Sequence, residues 1–305
     1  MLPRNLLALI ATAVACSAAQ AQSPLDAASA RGFSSTIAVG TSRDQTSGWT
    51  TELNSSLRYD FGKHFGIQVA APFYFVADQT IDGPLGRRSI SMSYHGMGDV
   101  AVMLNAKIGG RLSWAPTITG TAPTGNTKYG LSTGRVTGNL SNHLELNLGL
   151  IAPYIEAGIG NSVPNSLSQR IDQLTATRIF RQPFETLGGM SNFRAGFNIP
   201  AAKILNFETS AWDLLPFGDQ KLYSRILAAD TSNLNPAQFR LYEAAKVIAG
   251  SAAIAADHGF TGALDIAAGQ RCGVGLSYDR SIRYALDTAA ITVSYRFGHV
   301  NPSGR

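Results

Sequence analysis

Apolar and polar residues alternate along most of the chain, which is the pattern of a β-strand with one apolar face. In residues 51–61, for example, Leu53, Leu57 and Phe61 fall on one face, with polar side chains between them. The same period of two recurs at 66–76, 99–108, 144–150, 192–199, 272–278 and 287–297, and more weakly at 33–41, 111–121, 153–160, 203–213 and 259–268. These segments predict twelve strands.

The lengths of the connections also alternate. Short joins of two or three residues are predicted at 62–64, 109–110, 151–153, 200–202 and 269–270, and every other join is longer. In an up-and-down antiparallel sheet, this alternation puts the short turns and both chain ends on one side, as in outer-membrane barrels. A β-sandwich also alternates apolar and polar residues, but its Greek-key connections give no reason for this asymmetry.

The two patterns together predict an all-β fold, an up-and-down antiparallel transmembrane β-barrel of about 12 strands with short periplasmic turns and long outer loops. Lipid cannot solvate polar groups, so the apolar face is expected to point outward and the polar face to line the lumen. The expected lumen-lining residues are Glu52, Asn54, Arg58, Asp60, Asn105, Lys107, Glu145, Asn147, Asn192, Arg194 and Arg296. Because both signs of charge are present, these residues predict either a cross-lumen network of salt bridges or a path for a solute.

The longest predicted loop, residues 214–258, contains a segment with the signals of a helix. In 235–250, Asn235 is a candidate N-cap, Pro236 occupies the first helical position and Gly250 follows the last turn. The sequence therefore predicts one short helix, which would either lie across the mouth of the barrel or pack on the loops.

The N-terminal segment has the features of an export signal. Residues 1–21 combine Arg4, an apolar run from Leu6 and a small-x-small site ending at Ala21, so cleavage is expected after Ala21. A lipoprotein signal at Cys16 is the alternative. The predicted organisation is a signal peptide at 1–21, a barrel at 22–297 and a disordered tail at 298–305. The expected location is the outer membrane of a Gram-negative bacterium.

Composition excludes several other classes of function. The 25 Lys and Arg residues and the 20 Asp and Glu residues are dispersed, with no basic stripe, so a nucleic-acid partner is not expected. Cys272 is the only cysteine after the signal peptide, and a disulfide within the mature chain is therefore not possible. No metal-ligand spacing or cofactor motif occurs, so neither a metal nor a cofactor is expected.

The closing strand ends in an aromatic pair, Tyr295 and Phe297, on its apolar face. This pair resembles the C-terminal assembly signal of outer-membrane barrels, although here eight more residues follow it. The resemblance implies that the barrel-assembly machinery and outer-membrane lipid are partners. The strand is expected to close the barrel against residues 33–41.

Two glycine-rich segments are expected to lie at the outer rim. The motif GMGD opens the fourth strand, and APTGN follows the fifth, so that their residues would share tight bends: Gly96, Gly98, Asp99, Pro123, Thr124, Gly125 and Asn126. We expect Asp99 to cap one of these bends through its carboxylate. Ligand binding by this rim motif is the alternative.

A Gly-x-Gly-Asp strand start followed by a Pro-Thr-Gly turn resembles the outer-membrane barrel family named for the putative MetA pathway of phenol degradation. Where that family more often has Asp after the turn glycine, this chain has Asn126. The resemblance implies transport of small molecules, aromatic or hydrophobic ones among them, across the outer membrane.

The functional hypothesis is therefore a channel or transporter for passive passage of small solutes, and not an enzyme. One alternative is a non-conducting barrel with a structural or surface-interaction role. Another is a lipid-modifying barrel enzyme, for which Ser93 with His95, or His143 beside Asn142, would supply a hydroxyl or a base.

Overall fold

We describe the fold from a computed structural model of the chain. The structure describes residues 32–44, 48–62, 64–77, 79–83, 86–90, 94–127, 131–161, 184–202, 204–228, 240–250, 256–269, 271–283 and 286–298. The predicted signal peptide, the start of the predicted helix at 235–239 and the tail after Gly298 lie outside these residues. Among the residues described, no helix is long and apolar enough to cross a membrane.

The described chain contains seventeen strands. In chain order they are β1 (Gly32–Asp44), β2 (Gly48–Asp60), β3 (Phe65–Val76), β4 (Gln79–Gly83), β5 (Gly86–Ile90), β6 (Tyr94–Met97), β7 (Val100–Ala106), β8 (Ile108–Gly109), β9 (Leu112–Ala122), β10 (Thr137–Leu146), β11 (Ala152–Gly160), β12 (Phe184–Ala202), β13 (Leu205–Ala228), β14 (Arg240–Gly250), β15 (Asp257–Ala268), β16 (Cys272–Ser281) and β17 (Leu286–Gly298).

Twelve of these strands form one closed antiparallel barrel, in the order β1-β2-β3-β7-β9-β10-β11-β12-β13-β15-β16-β17. The barrel closes where β17 pairs with β1, with Phe297 opposite Ser35 and Tyr295 opposite Ile37. β6 continues the line of β7 along β3, and β4 pairs with β5 in a separate hairpin. Closure leaves no unpaired barrel edge. The predicted twelve-stranded fold is confirmed.

The alternation in the sequence appears as two faces of a single-layer wall. On β3, for example, Ala70 and Tyr74 are buried, whereas their sequence neighbours Val69 and Phe75 are exposed. The outward rows are aliphatic: Leu104, Ile118, Leu140 and Ile159 lie opposite one another on β7, β9, β10 and β11. Residues this apolar are stable on an outer surface only when a nonpolar solvent covers them. The outward face is therefore suited to lipid.

The short connections occur at the predicted end of the barrel, but some strand limits differ from the prediction. β10 ends at Leu146 instead of continuing to residue 150, and Leu148 and Leu150 lie in the turn to β11. The turn is formed by Gly149, which has a φ of +94°, and by Asn147, whose Oδ1 accepts from the Gly149 N–H. A polar residue next to a positive-φ glycine favours the turn over continued strand.

At the other end, four connections are long and two are short. β1 and β2 remain paired as far as Asp44 and Gly48, and β16 and β17 as far as Ser281 and Leu286. The first and last outer connections are therefore shorter than predicted. The strand ladder continues beyond the apolar segment because each hairpin satisfies its own backbone hydrogen bonds.

The predicted helix at 235–250 is wrong for the part that the structure describes. Residues 240–250 form β14, which pairs with the outer end of β13 from Gln220 to Ala228. The helix signals are local, and a helix of this length is marginal without tertiary packing. The long β13 offers a free edge beside the segment, and pairing along that edge satisfies the backbone of both strands.

Candidate solute pathway

Charged side chains concentrate on the inward face of the barrel. Arg58, Arg194 and Arg296 are the inward guanidinium groups of the described strands, and the inward carboxylates are those of Glu52, Asp60, Glu145, Glu156, Glu208, Asp257, Asp265 and Asp279. Their positions follow from strand register, because each has the same parity as the buried residues of its own strand. The interior is consequently polar, as in a channel-forming barrel.

Arg58, on β2, organises the interior near the short-turn end. Its Nη2 lies 2.6 Å from Asp60 Oδ1, and its Nη1 donates to Asn105 Oδ1 of β7 at 3.1 Å. Gly66 faces this ion pair, and a Cβ there would come within 2.6 Å of Arg58 Nη2. The glycine therefore leaves the space that the ion pair occupies. Arg58, Asp60 and Asn105 are thus brought together across three neighbouring strands.

A second cluster is formed by β10 and β11. His143 lies between two carboxylates: its Nε2 is 3.8 Å from Glu145 Oε2, and its Nδ1 is 3.5 Å from Glu156 Oε2. Glu156 stands opposite Arg194 on β12. Sequence reasoning placed Glu145 and Arg194 on this face but did not predict that His143 or Glu156 lines it.

The side chains of neighbouring strands cross-link this cluster. Tyr154 Oη donates to Glu208 Oε1 at 2.5 Å, reaching over Gly196 of β12 to β13. Asn198 Nδ2 donates to Glu145 Oε2 at 2.9 Å, from β12 to β10. Tyr154, Asn198 and Glu208 are each at least 96% buried. Since burying a carboxylate without partners is costly, these hydrogen bonds hold the acidic groups in place.

A third group lies toward the long-loop end. Asp279 of β16 accepts hydrogen bonds from Trp212 Nε1 at 3.0 Å and from Thr261 Oγ1 at 2.5 Å. Asp257 of β15 accepts from Ser281 Oγ at 2.7 Å. Sequence reasoning missed these carboxylates together with Glu208 and Asp265. Glu208 and Asp265 lie in the weakly alternating segments 203–213 and 259–268, where the parity was a signal that could have found them. Asp257 and Asp279 lie just beyond the predicted strands, because the strands are longer than predicted.

The remaining predicted lumen residues occupy two kinds of position. Glu52 and Asn54 are buried and hydrogen-bonded to each other at 3.0 Å, and Asn192 and Arg296 are half-buried on the inward parity of their strands. Asn147 lies in the exposed β10–β11 turn, and Lys107 is half-buried in the turn after β7. The structure therefore places Asn147 and Lys107 at the short-turn end rather than within the strands, because the ladder ends just before each of them.

The glycine-rich motifs meet at the long-loop end. Asp99 accepts from the Gly125 N–H at 3.0 Å and from the Thr133 N–H at 3.1 Å, one bond to each carboxylate oxygen. Thr124 Oγ1 accepts from the Val100 N–H and donates to the Gly98 carbonyl, and the Asn126 N–H donates to the Met97 carbonyl. Pro123 is exposed between these contacts and β9. The expected capping by Asp99 is what the geometry shows.

This network holds a short segment, residues 131–133, against the inner face of β6, and we call this segment the inner loop. Leu131 lies over Gly96, where a Cβ would meet the Leu131 Cδ1 at 3.0 Å, and all three residues of the segment are buried. A Cβ at Gly125 would lie 2.5 Å from the Leu131 carbonyl oxygen. The inner loop therefore narrows the interior beside the rim motif.

The residues considered for catalysis are not assembled into a site among those described. His95 is exposed on the outward side of β6, with its ring 6.2 Å from Phe73 and 6.4 Å from Phe75, and Ser93 lies outside the described residues. His143 points inward, whereas its neighbour Asn142 accepts from Trp114 Nε1 on the outward face. In the described part of the chain, no group of three or more His, Cys, Asp or Glu side chains is placed to hold a metal.

The outward face has charged and aromatic groups toward its long-loop end. Arg43 lies over the Trp49 ring, 5.6 Å from its centroid, and Arg280 pairs with Asp287. At the other end, Tyr295 and Phe297 are in edge contact at 4.6 Å. Such residues suit the two membrane interfaces on either side of the apolar band.

The fold is similar to that of solved outer-membrane proteins. An outer membrane channel from Pseudomonas putida F1 matches with a TM-score of 0.53 and 12% identity, over 88% of this chain and 98% of that chain. The NanC porin matches with a TM-score of 0.45 and 8% identity, over 85% of this chain and 98% of that chain. The translocator domain of the autotransporter NalP from Neisseria meningitidis matches with a TM-score of 0.42 and 7% identity, over 97% and 95%.

No protein-family model and no curated protein matches the chain. The likeness to the Pseudomonas channel concerns the fold, at an identity too low to transfer a function. The fold, the lipid-suited outer face and the polar interior define the class of the protein as an outer-membrane β-barrel.

Proposed function

We propose that the protein is a passive channel in the outer membrane for small solutes. The observation that carries this proposal is the polar, charged inner face of a closed twelve-stranded barrel whose outer face is apolar. Barrel diameter grows with strand number, and eight strands already enclose an interior that side chains can fill. Twelve strands give a wider interior. The name of the similar Pseudomonas protein, an outer membrane channel, supports the same function.

In this mechanism, solutes diffuse along the polar inner face without an energy source. We expect the path to be narrowest at three places: the Arg58 cluster with Lys107 at the short-turn end, the stretch beside Arg194 and Glu156, and the inner loop near the rim. Hydrogen-bonded side chains at these places replace part of the water around a passing solute. Short turns would face the periplasm and long loops the outside, as is usual for such barrels.

For the solute, the resemblance of the glycine-rich motifs to the phenol-degradation family supports small organic compounds, aromatic or hydrophobic ones among them. An enzymatic role has no comparable support. His95 is exposed on the outward face, and His143 points inward whereas its neighbour Asn142 is hydrogen-bonded to Trp114 on the outward face.

The test is solute passage through the purified, refolded protein. We expect discrete conductance steps in planar bilayers and swelling of proteoliposomes in isotonic solutions of small organic solutes. Deleting residues 224–246 and joining Tyr223 to Val247 by a two-residue turn removes only the outer part of the β13–β14 hairpin, since these residues are paired. Absence of both conductance and swelling, in the full chain and in this deletion, would refute the channel.

A non-conducting barrel is the second candidate, and the inner loop favours it. Leu131, Ser132 and Thr133 are buried inside the mouth, and other buried side chains cross-link strands that are two apart in the sheet. If these groups fill the section completely, the barrel serves a structural or surface-interaction role. Folded protein that inserts into bilayers yet passes neither ions nor solutes would establish this candidate over the channel.

A further inference from the structure

The charge on the inner face is distributed unevenly around the barrel. Half of its strands, β10 to β13 with β15 and β16, are consecutive in the sheet. We call their inner face the acidic wall. Among the residues whose side chains the structure describes, it carries six inward carboxylates, from Glu145, Glu156, Glu208, Asp257, Asp265 and Asp279, against one inward guanidinium, that of Arg194.

The opposite half is balanced. Its described strands carry inward Glu52 and Asp60 against Arg58 and Arg296. The Arg58–Asp60 ion pair neutralises both members at a distance of 2.6 Å. The net negative charge of the interior therefore comes from the acidic wall, although the whole chain has a formal charge of +5. Overall charge and interior charge have opposite signs.

Positive groups are too few to match the wall carboxylates one for one: Arg194 stands opposite Glu156, and His143 lies between Glu145 and Glu156. Glu208 accepts from Tyr154, Asp279 from Trp212 and Thr261, and Asp257 from Ser281. Such hydrogen bonds satisfy the carboxylate oxygens but supply no compensating positive charge. Because one guanidinium can offset only one of the six carboxylates, the wall keeps a net negative charge, and its low-dielectric surroundings strengthen the field of that charge.

A neutral oxygen of the wall also lacks a donor. Asn198 is 2% exposed, and while its Nδ2 donates to Glu145, its Oδ1 has no hydrogen-bond partner among the described residues. Such an oxygen beside carboxylates favours a cation or a cation's water shell. Carbonyl and carboxylate oxygens are the groups by which channels replace the hydration of cations.

We propose that the channel selects cations over anions, and that the acidic wall is the element that selects. This inference rests on the proposed channel function and specifies the class of solute: inorganic cations and small organic molecules that carry an ammonium group. A charge at about 4 Å in water changes an ion's local concentration about fivefold. We therefore expect potassium to permeate about fivefold or more in preference to chloride.

The experiment measures the reversal potential of the full-length protein in a bilayer of uncharged phosphatidylcholine, under a potassium chloride gradient. The sign of the potential for the unmodified protein tests the proposal without any variant. Current that reverses near zero, or on the chloride side, overturns it while leaving the channel function standing. Absence of current refutes the channel itself, so the two failures are distinguishable.

The variants locate the selecting groups. Glu156→Gln, Asp265→Asn and Asp279→Asn combined remove three wall charges but keep hydrogen-bond acceptors of the same shape, and the potassium preference is expected to fall severalfold. The matched control is Asp213→Asn, since Asp213 has the outward parity of β13, between Trp212 and Leu214. An unchanged preference in the triple variant, with folded protein shown by heat-modifiable gel migration, would contradict the assignment to the acidic wall.

Discussion

Tyr154 shows how a single side chain stabilises the polar interior. It is 4% exposed, its ring lies 4.9 Å from that of His143, and its hydroxyl donates to the buried Glu208. A carboxylate buried in this way depends on the donors around it, because removing one leaves the desolvation cost without its compensation. Interior residues of this barrel are therefore expected to be sensitive to small chemical changes.

Tyr154→Phe removes one oxygen and leaves Glu208 without this donor. We expect the free energy of unfolding to fall by about 1–3 kcal/mol, the cost of leaving a buried polar group unsatisfied. The measurement is urea unfolding of the protein in lipid vesicles. Tyr59→Phe is the control, since Tyr59 lies on the outward face against Phe33 and Phe61. Equal stability of the two variants would contradict this role for Tyr154.

At the scale of elements, loops and strands are held by contacts far apart in sequence. Asp99 connects the end of the fourth barrel strand to both Gly125 and Thr133, 26 and 34 residues away. The closing strand β17 likewise pairs with β1 at the other end of the described chain. The inner loop depends on the Asp99 contacts, and closure of the barrel depends on the pairing of β17 with β1. Both dependences can be tested by mutation.

Asp99→Asn keeps the shape of the side chain but replaces a carboxylate, which accepts from both N–H groups, by an amide with one acceptor oxygen. We expect the inner loop to detach from the wall and the single-channel conductance to rise about twofold, with a stability loss of about 1 kcal/mol. Single-channel recording checks the first effect. Asp219→Asn, at an exposed position, is the control. A conductance equal to that of the unmodified protein would show that the inner loop does not depend on Asp99.

Phe297→Ala tests the predicted assembly signal. The variant is expected to reduce the folded fraction recovered from outer membranes severalfold, because the aromatic pair ends the strand that must join β1. Phe197→Ala is a closely matched control: the two phenylalanines are 45% and 47% exposed on the outward face. Heat-modifiable gel migration of membrane extracts measures folding. Equal recovery of both variants would count against any special role for the closing strand's aromatic pair.

At the scale of the whole molecule, the barrel depends on its solvent. Outward rows of Leu and Ile form an apolar band around the barrel, and the short turns lie beyond one edge of this band. Because strand pairing alone closes the sheet, the core of an ordinary globular protein is missing, and lipid takes the place of that core on the outer face.

Ile118→Arg places a charge in the middle of the apolar band, where Ile118 lies opposite Leu104 and Leu140. We expect the unfolding free energy in lipid vesicles to fall by about 2–4 kcal/mol. The same change at Leu150, which is 84% exposed in a short turn, is expected to cost no more than about 1 kcal/mol. Equal costs at both positions would show that residue 118 does not face the hydrocarbon region.

Much of this architecture was predictable because the side-chain period of a strand is two. Strong alternation located Leu53 and Leu57 outward and Glu52 and Asn54 inward, and the short turns gave the direction of each strand. The boundaries were less predictable. At 144–150 the alternation continues through Leu148 into a turn, since an exposed turn places no restriction on apolar residues.

The sequence alone determined the number of barrel strands, the two faces and the closing of the last strand on the first. These features follow from local periodicity and from the need to pair every backbone N–H and C=O group that lies in lipid. Only the tertiary structure decided which charges meet. The register between paired strands brings Glu156 beside His143 and Arg194, and Tyr154 within reach of Glu208. No local pattern in the sequence reveals this register. The tertiary structure also decided that residues 240–250 form a strand, because the free edge of β13 exists only once the barrel has formed.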